Sequence, residues 1–352
     1  MSKVRKWGQI IQVAFTYIGT IVGAGFASGQ EILQFFTQFG RLAAVTIILT
    51  TFFLVWLGIK IMRLSHTYGA QSYEDLNTLL FGELVGRWIS WFMMLILLGT
   101  STVMLAGAGT LFTEQLNLSF QTGLLLTLFL SYLVLSKGIK AIMNVNSAVV
   151  PLMLIFTIVV VWYTWHMPNS EGWLHLTSDY TQARIWFSPI LYAAFNLISA
   201  QAVLVPLGSA IRNRSVLFWG GLLGGIVIGL MLLAAHYALS AQMPGIQQFE
   251  IPMGHIIQRL GTGIQFIYVI IIYGEIFTTY IADIYGLSLQ LQQKTRIHPQ
   301  ILLCILLFIS YIFSQIGFSI LLSALYPIFG AVSIIWFVMI IYRRKVVRTD
   351  HF

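Results

Sequence analysis

A chain of 352 residues that is 58% hydrophobic and only 9% charged, with mean hydropathy +0.86, excludes a soluble globular domain. Such domains carry about 25% charged residues, so the composition implies a chain that crosses the membrane many times. Nineteen Lys and Arg against eleven Asp and Glu leave a net charge of +8, but the basic residues are scattered through short loops, which excludes a nucleic-acid surface and suits the positive-inside rule. A single cysteine, Cys304, set in an apolar run, excludes an intrachain disulfide and gives no sign of a metal site.

The first apolar segment follows Lys3, Arg5 and Lys6, as a signal peptide would. It continues, however, through Phe39 and carries Gln9 and Gln12 early, so it reads as a retained first span. Inside it lies Gly19-Thr-Ile-Val-Gly-Ala-Gly-Phe-Ala-Ser-Gly-Gln-Glu31, with four glycines and three polar side chains beyond Thr20. Each glycine costs a helix interior ~1 kcal/mol relative to alanine. Backbone left unpaired at membrane depth must be buried in protein or line a wet cavity. The pattern therefore predicts a span broken at its middle, the device by which many transporters form a substrate site.

The runs of apolar residues predict ten spans, at about 8–39 (broken), 41–64, 86–116, 121–136, 138–166, 186–212 (broken), 216–242, 261–288, 298–316 and 318–342. Between the second and third, Ser72-Tyr-Glu-Asp75 has the form of a capping box opening a short surface helix that ends near Gly82. A polar loop, 167–185, containing Pro168, joins two halves, and the loop 243–260 has room for a short helix. With the N-terminus inside, 16 of the 19 basic residues fall on the inner side, among them Lys60, Lys137, Lys140, Lys294, Arg343, Arg344, Lys345 and Arg348. Only Arg41, Arg184 and Arg259 fall outside. The expectation is a multi-pass protein of a bacterial plasma membrane with both termini cytoplasmic.

The halves 8–166 and 186–342 are of nearly equal length and hold five spans each, an odd number that forces opposite insertion. Each opens with an interrupted span, the second at Phe195-Asn-Leu-Ile-Ser-Ala-Gln201, whose Ser-Ala-Gln echoes Ser28-Gly29-Gln30. The expected fold is all-α and integral to the membrane, a single domain of ten transmembrane helices arranged as a 5+5 inverted repeat with helices 1 and 6 broken.

Gly19-Thr-Ile-Val-Gly-Ala-Gly-Phe26 resembles the first-span signature of the amino acid–polyamine–organocation superfamily and the matching segment of sodium-coupled proteins with the leucine-transporter-like fold. Within the superfamily the whole chain looks most like the YkvI group of bacterial membrane proteins. The resemblance implies that a substrate carboxylate meets backbone N–H groups of Ala24, Gly25 and Phe26. It places the substrate ammonium near the carbonyls of Ile21 and of Phe195 and Asn196, with Ser199, Ser101, Ile198 and Phe26 nearby. It also implies a sodium ion held by the carbonyls of Gly19 and Val22, the carbonyl of Glu275, and the hydroxyls of Thr278 and Thr279.

Glu275 departs from that pattern, where a small residue is expected. A carboxylate at this depth is functional by default, and three readings stand: a sodium ligand, a proton carrier, or a structural group paired with a neighbour. Glu275, Thr279 and Asp283 recur at i, i+4 and i+8, along one helix face that would line an inward path. Glu31 reads as structural, Asn144 and Asn146 as interhelical hydrogen-bonding groups, and His236 as a satisfied core residue. No nucleophile–base pattern marks an enzyme. The expected activity is secondary transport of a small amino acid or related amine, with sodium as coupling ion, no cofactor, and no obligate protein partner evident. The alternatives are proton coupling and an amino-acid-sensing subunit of the spore-germinant receptor type.

Overall fold

In lipid, a chain can satisfy its backbone across a bilayer only by closing into helices or a barrel, and the computed structural model of this protein takes the first course. The structure describes residues 3–167, 169–249, 252–258 and 261–342, and among these there is no strand. The first segment folds as α1 (Lys3–Ile21), a two-residue break, α2 (Ala24–Ala27) and α3 (Gln30–Phe35), and a 3-10 turn over Thr37–Leu42 leads into α4 (Ala43–Tyr68). There follow α5 (Tyr73–Phe81), α6 (Glu83–Leu116), α7 (Phe120–Leu135), α8 (Ile139–Trp165) and the single turn α9 (Gly172–His175). The second half comprises α10 (Gln182–Ala210), α11 (Arg214–Ser240), α12 (Pro252–Gln258), α13 (Thr262–Lys294), α14 (Pro299–Ser314) and α15 (Phe318–Tyr342).

Ten long helices thus stand at the ten expected spans, and α13 runs on to Lys294 where the sequence pattern ends the span at 288. Six of the described helices are long and apolar enough to cross a bilayer on those grounds alone, and the chain is a multi-pass membrane protein. Arg259, Arg343, Arg344, Lys345 and Arg348, together with Pro168, lie outside the described residues.

Local signals fold as their chemistry dictates. Ser72 Oγ accepts from the Asp75 N–H at 3.2 Å while Asp75 Oδ2 accepts from the Ser72 N–H at 3.0 Å, closing the capping box at the start of α5. The glycines of α11 form two rows on adjacent faces. A Cβ at Gly220 would lie 2.5 Å from Val13, on α1, and one at Gly225 would lie 2.6 Å from Val55, on α4. These small residues let three helices approach to backbone distance, the packing mode that serves where lipid removes the hydrophobic drive between helices.

The helix contacts come in matched pairs. α1 packs on α11 as α10 packs on α4, and α1 on α8 as α10 on α15. Likewise α6 packs on α15 as α13 packs on α8, while α6 also lies directly against α13.

One expectation fails. The segment 195–201 is not a break, because α10 is helical from Gln182 to Ala210. It contains no glycine, and two of its polar side chains, Asn196 and Ser199, bond within the helix. Asn196 Nδ2 donates to the Tyr192 carbonyl at 3.0 Å and Ser199 Oγ to the Phe195 carbonyl at 3.2 Å. Side chains that bond four residues back tolerate a helix rather than open it.

Candidate functional site

At the break in α1 the backbone is left open on both sides. The Val22 N–H still donates to the Ile18 carbonyl, and the Ala27 N–H donates to the Gly23 carbonyl. Between them, among the described residues, the carbonyls of Gly19, Ile21 and Val22 accept no backbone hydrogen bond, and the N–H groups of Gly23, Gly25 and Phe26 donate none to the backbone. Unpaired backbone at this depth is what a ligand site requires. The far end of α2 is instead tied down: Tyr268 Oη donates to the Ala27 carbonyl at 3.1 Å, Ser28 Oγ to the Gly25 carbonyl at 3.1 Å, and the Met253 N–H to the Ser28 carbonyl at 2.9 Å. Gly29 turns the chain into α3 at φ 83°, in the left-handed region that favours glycine.

α13 lies against the break. Thr279 stands directly beside Gly23, where a Cβ would come within 2.9 Å of its Oγ1, and that buried hydroxyl has no hydrogen-bond partner. Thr278 is fully buried and donates to the Glu275 carbonyl at 3.0 Å. Of the residues expected to hold a cation, Thr279 stands beside the break at Gly23, and Gly19 stands against Asn146 and Val150 of α8. The donors are hard oxygens: carbonyls freed by the break and threonine hydroxyls. Such a set fits an alkali cation, whose ligands are oxygen atoms.

The residue that sequence reasoning set aside is Asn146 of α8. It is fully buried, its carboxamide packs onto Gly19, and neither its Oδ1 nor its Nδ2 has a hydrogen-bond partner. A buried amide with both ends unpaired is rare. It brings a third helix, α8, against the first span at Gly19. Asparagine at a helix interior reads as a hydrogen-bonding group in sequence, and only the proximity of Gly19 singles it out.

Above this cluster Glu275 lines a cavity of about 40 Å³ with Phe26, Phe156, Met153, Met231 and Met253. Glu275 is 3% exposed and its Oε2 has no hydrogen-bond partner. The Glu31 carboxylate packs against Gly25 at the start of α2. Further along α13, Asp283 accepts from Thr100 Oγ1 at 2.5 Å. The Glu275 and Asp283 side chains and the Thr279 hydroxyl are buried, so Asp283 is not a solvated group at the helix end.

Five expected site residues stand apart. Phe195, Asn196 and Ser199 belong to an unbroken α10, whose carbonyls stay within the helix, and none of them lines the cavity. Ser101 is buried in α6, and its Oγ donates to the Leu98 carbonyl at 2.9 Å. Ile198 is likewise buried away from the cavity. The walls come from α8, α11 and α12 instead.

YkvI of Bacillus subtilis strain 168, described as an uncharacterized membrane protein, is 39% identical over 330 residues, spanning 93% of this chain and 94% of YkvI. The chain belongs to the YkvI family. YyaD of the same organism, described as an uncharacterized protein, is 25% identical over 329 residues and 94% of this chain. No family model matches the chain. The solved structure of a Na+-coupled sialic acid symporter, in a substrate-bound outward-open state with a novel Na+ site, superposes on this family member with a TM-score of 0.62. That match covers 96% of this chain and 86% of the symporter at 13% identity, so the two share a fold.

Proposed function

We propose that the protein is a secondary transporter that couples sodium to the movement of a small amine-bearing solute, an amino acid or a related amine, by alternating access about the break in α1. The observation that carries this reading is the conjunction at that break. The carbonyls of Gly19, Ile21 and Val22 accept no backbone hydrogen bond among the described residues, and at Gly23 the break meets α13, where Thr279 presents an unpartnered hydroxyl. Sodium would be held by the Gly19 and Val22 carbonyls, the Glu275 carbonyl, and Thr278 and Thr279, with Asn146 supplying a further oxygen. Placement within the amino acid–polyamine–organocation superfamily agrees with the glycine signature of α1 and with the fold shared with a Na+-coupled symporter.

The matched contacts also support an inverted repeat, residues 8–166 against 186–342. Exchanging α1, α4, α6, α7 and α8 for α10, α11, α13, α14 and α15 carries the principal contacts onto one another. Two halves related in this way can rock about a shared site to open either side. The break is present in only one of them, so the site is asymmetric.

The test is uptake into proteoliposomes of radiolabelled amino acids and of their decarboxylated amines, under an inward sodium gradient or with potassium replacing sodium. Sodium-dependent accumulation of any member supports the reading. Accumulation driven by a proton gradient, and lost in Glu275→Gln, assigns the coupling to protons instead. Binding without flux points to a sensor.

A further inference from the structure

Charge is divided unevenly over the face that carries most of the basic residues. Among the described residues, its acidic side chains Glu74, Asp75 and Glu83 all lie on α5 and α6, and each is engaged. Glu74 pairs with Lys294 at 2.9 Å and Glu83 with Arg87 at 3.8 Å, while Asp75 accepts from the Ser72 N–H at 3.0 Å and from Gln293 Nε2 at 3.1 Å. In contrast α1, α4, α10 and α11 contain no acidic residue, and neither does the 211–213 turn between the last two. At this face they carry Lys6, Arg63, Arg212 and Arg214. The three arginines are exposed and Lys6 is half-buried, and none of the four has an acidic partner among the described residues.

Packing draws these four together. A Cβ at Gly220 would meet Val13 and one at Gly224 would meet Tyr17, so α11 and α1 run side by side in the same direction. Arg214 lies six residues before Gly220 and Lys6 seven before Val13, which at about 1.5 Å per residue sets them at one level. His66 Nδ1 donates to the Ile211 carbonyl at 2.9 Å and seats the last turn of α4, one turn beyond Arg63, against the turn that carries Arg212. Next to this basic group, Trp7 and Ile11 of α1 and Trp219 and Leu223 of α11 are exposed although the two helices touch, so both turn apolar side chains outward to the bilayer. Tryptophan near a helix end sits at the level of the lipid headgroups.

The positive-inside rule accounts for basic residues on this face, but not for a group of four set apart from every acid. The planar fork of arginine pairs with phosphate oxygens two at a time, and basic groups where helices meet the membrane surface hold lipid headgroups. We infer that the joined ends of α1, α4, α10 and α11 dock an anionic phospholipid. Its phosphate lies on Arg212 and Arg214 with Arg63 and Lys6 beside them, and its acyl chains run along the apolar faces of α1 and α11. A zwitterionic headgroup would bring its own ammonium among four cations, so the lipid carries net negative charge. This docking surface is independent of the transport reading.

The experiment is a thermal-shift titration of the purified full-length protein with dihexanoyl phosphatidylglycerol, dihexanoyl phosphatidylcholine and glycerol 3-phosphate as separate probes. Phosphatidylglycerol is expected to raise the midpoint and the other two to leave it unmoved. Arg212→Gln combined with Arg214→Gln is expected to weaken the apparent affinity for phosphatidylglycerol by about tenfold or more. Lys137→Gln combined with Lys140→Gln removes as much charge between α7 and α8 and is expected to leave the response as in the wild type. An equal response to phosphatidylcholine overturns the inference by making the surface unselective, and an equal response to glycerol 3-phosphate overturns it by making this a site for free phosphate. Loss of the response in the lysine variant overturns it as well, because only the total charge of the face would then matter, and so does the absence of any shift with phosphatidylglycerol. If the arginine double variant does not fold, Arg63→Gln and Lys6→Gln are compared singly by native mass spectrometry. Reduced retention of phosphatidylglycerol is then expected, and unchanged retention in both overturns the inference.

Discussion

Thr279 Oγ1 is buried beside Gly23 with nothing to bond. Such a hydroxyl costs about 1–3 kcal/mol of desolvation without return. Thr279→Val keeps the shape and removes that cost, so the variant is expected to match or exceed the wild type in thermal midpoint while losing the sodium-induced rise. A midpoint that still climbs with sodium as in the wild type would remove Thr279 from the site. Asn146→Leu is expected to behave alike, with stability retained, because neither end of the Asn146 amide is bonded, and an apparent sodium affinity weakened about tenfold or more. The sequence nominates the two threonines, because their spacing on one helix matches the arrangement that the family resemblance implies. Asn146 is not legible in this way. Its role depends on α8 meeting α1 at Gly19, a contact between residues 127 positions apart that no local pattern encodes.

The contrast between α1 and α10 shows what opens a helix in this chain. Both carry a Ser-x-Gln motif and flanking polar groups, yet only the one with four glycines in thirteen residues breaks. Polar side chains alone reach back to their own carbonyls, as Asn196 and Ser199 do. Glycine supplies the torsional freedom and removes the side chains that would fill the gap. The ten spans and the capping box before α5 were legible because hydrophobic length and local hydrogen bonds encode them, while the walls of the cavity depend on which helices pack together. The glycine rows of α11 make a prediction at this scale. Gly225→Ala places a methyl within 2.6 Å of Val55, on a backbone that α4 holds rigid, and is expected to cost about 1–3 kcal/mol. Gly8→Ala, with nothing within 4 Å of its new Cβ, is expected to be neutral or stabilising by up to ~1 kcal/mol. Thermal denaturation in detergent compares the two, and equal midpoints would show that α11 does not rely on close approach.

Across the whole molecule, the paired contacts and the charge bias bear on different questions. The contacts fix how the helices surround the site, and they read the same whichever way the protein sits in the membrane. The bias bears on which face is which: with 16 of 19 basic residues expected on one side, we propose from the positive-inside rule that both termini lie in the cytoplasm. Under that orientation α13 runs inward from Thr262 to Lys294, so Glu275 and its cavity lie nearer the outer surface than Asp283 does. Solute would then reach Glu275 first from outside, with the polar face through Thr279 and Asp283 leading in. Single cysteines test this directly. With Cys304→Ser as background, Asp179→Cys in the 167–185 loop and His298→Cys between α13 and α14 are both at exposed positions on opposite faces. A membrane-impermeant thiol reagent added to intact cells is expected to label Asp179→Cys at once and His298→Cys only after permeabilisation. The reverse pattern would turn the molecule over. The same cavity would then open toward the cytoplasm, and the direction of solute capture inferred from the depth of Glu275 would reverse with it.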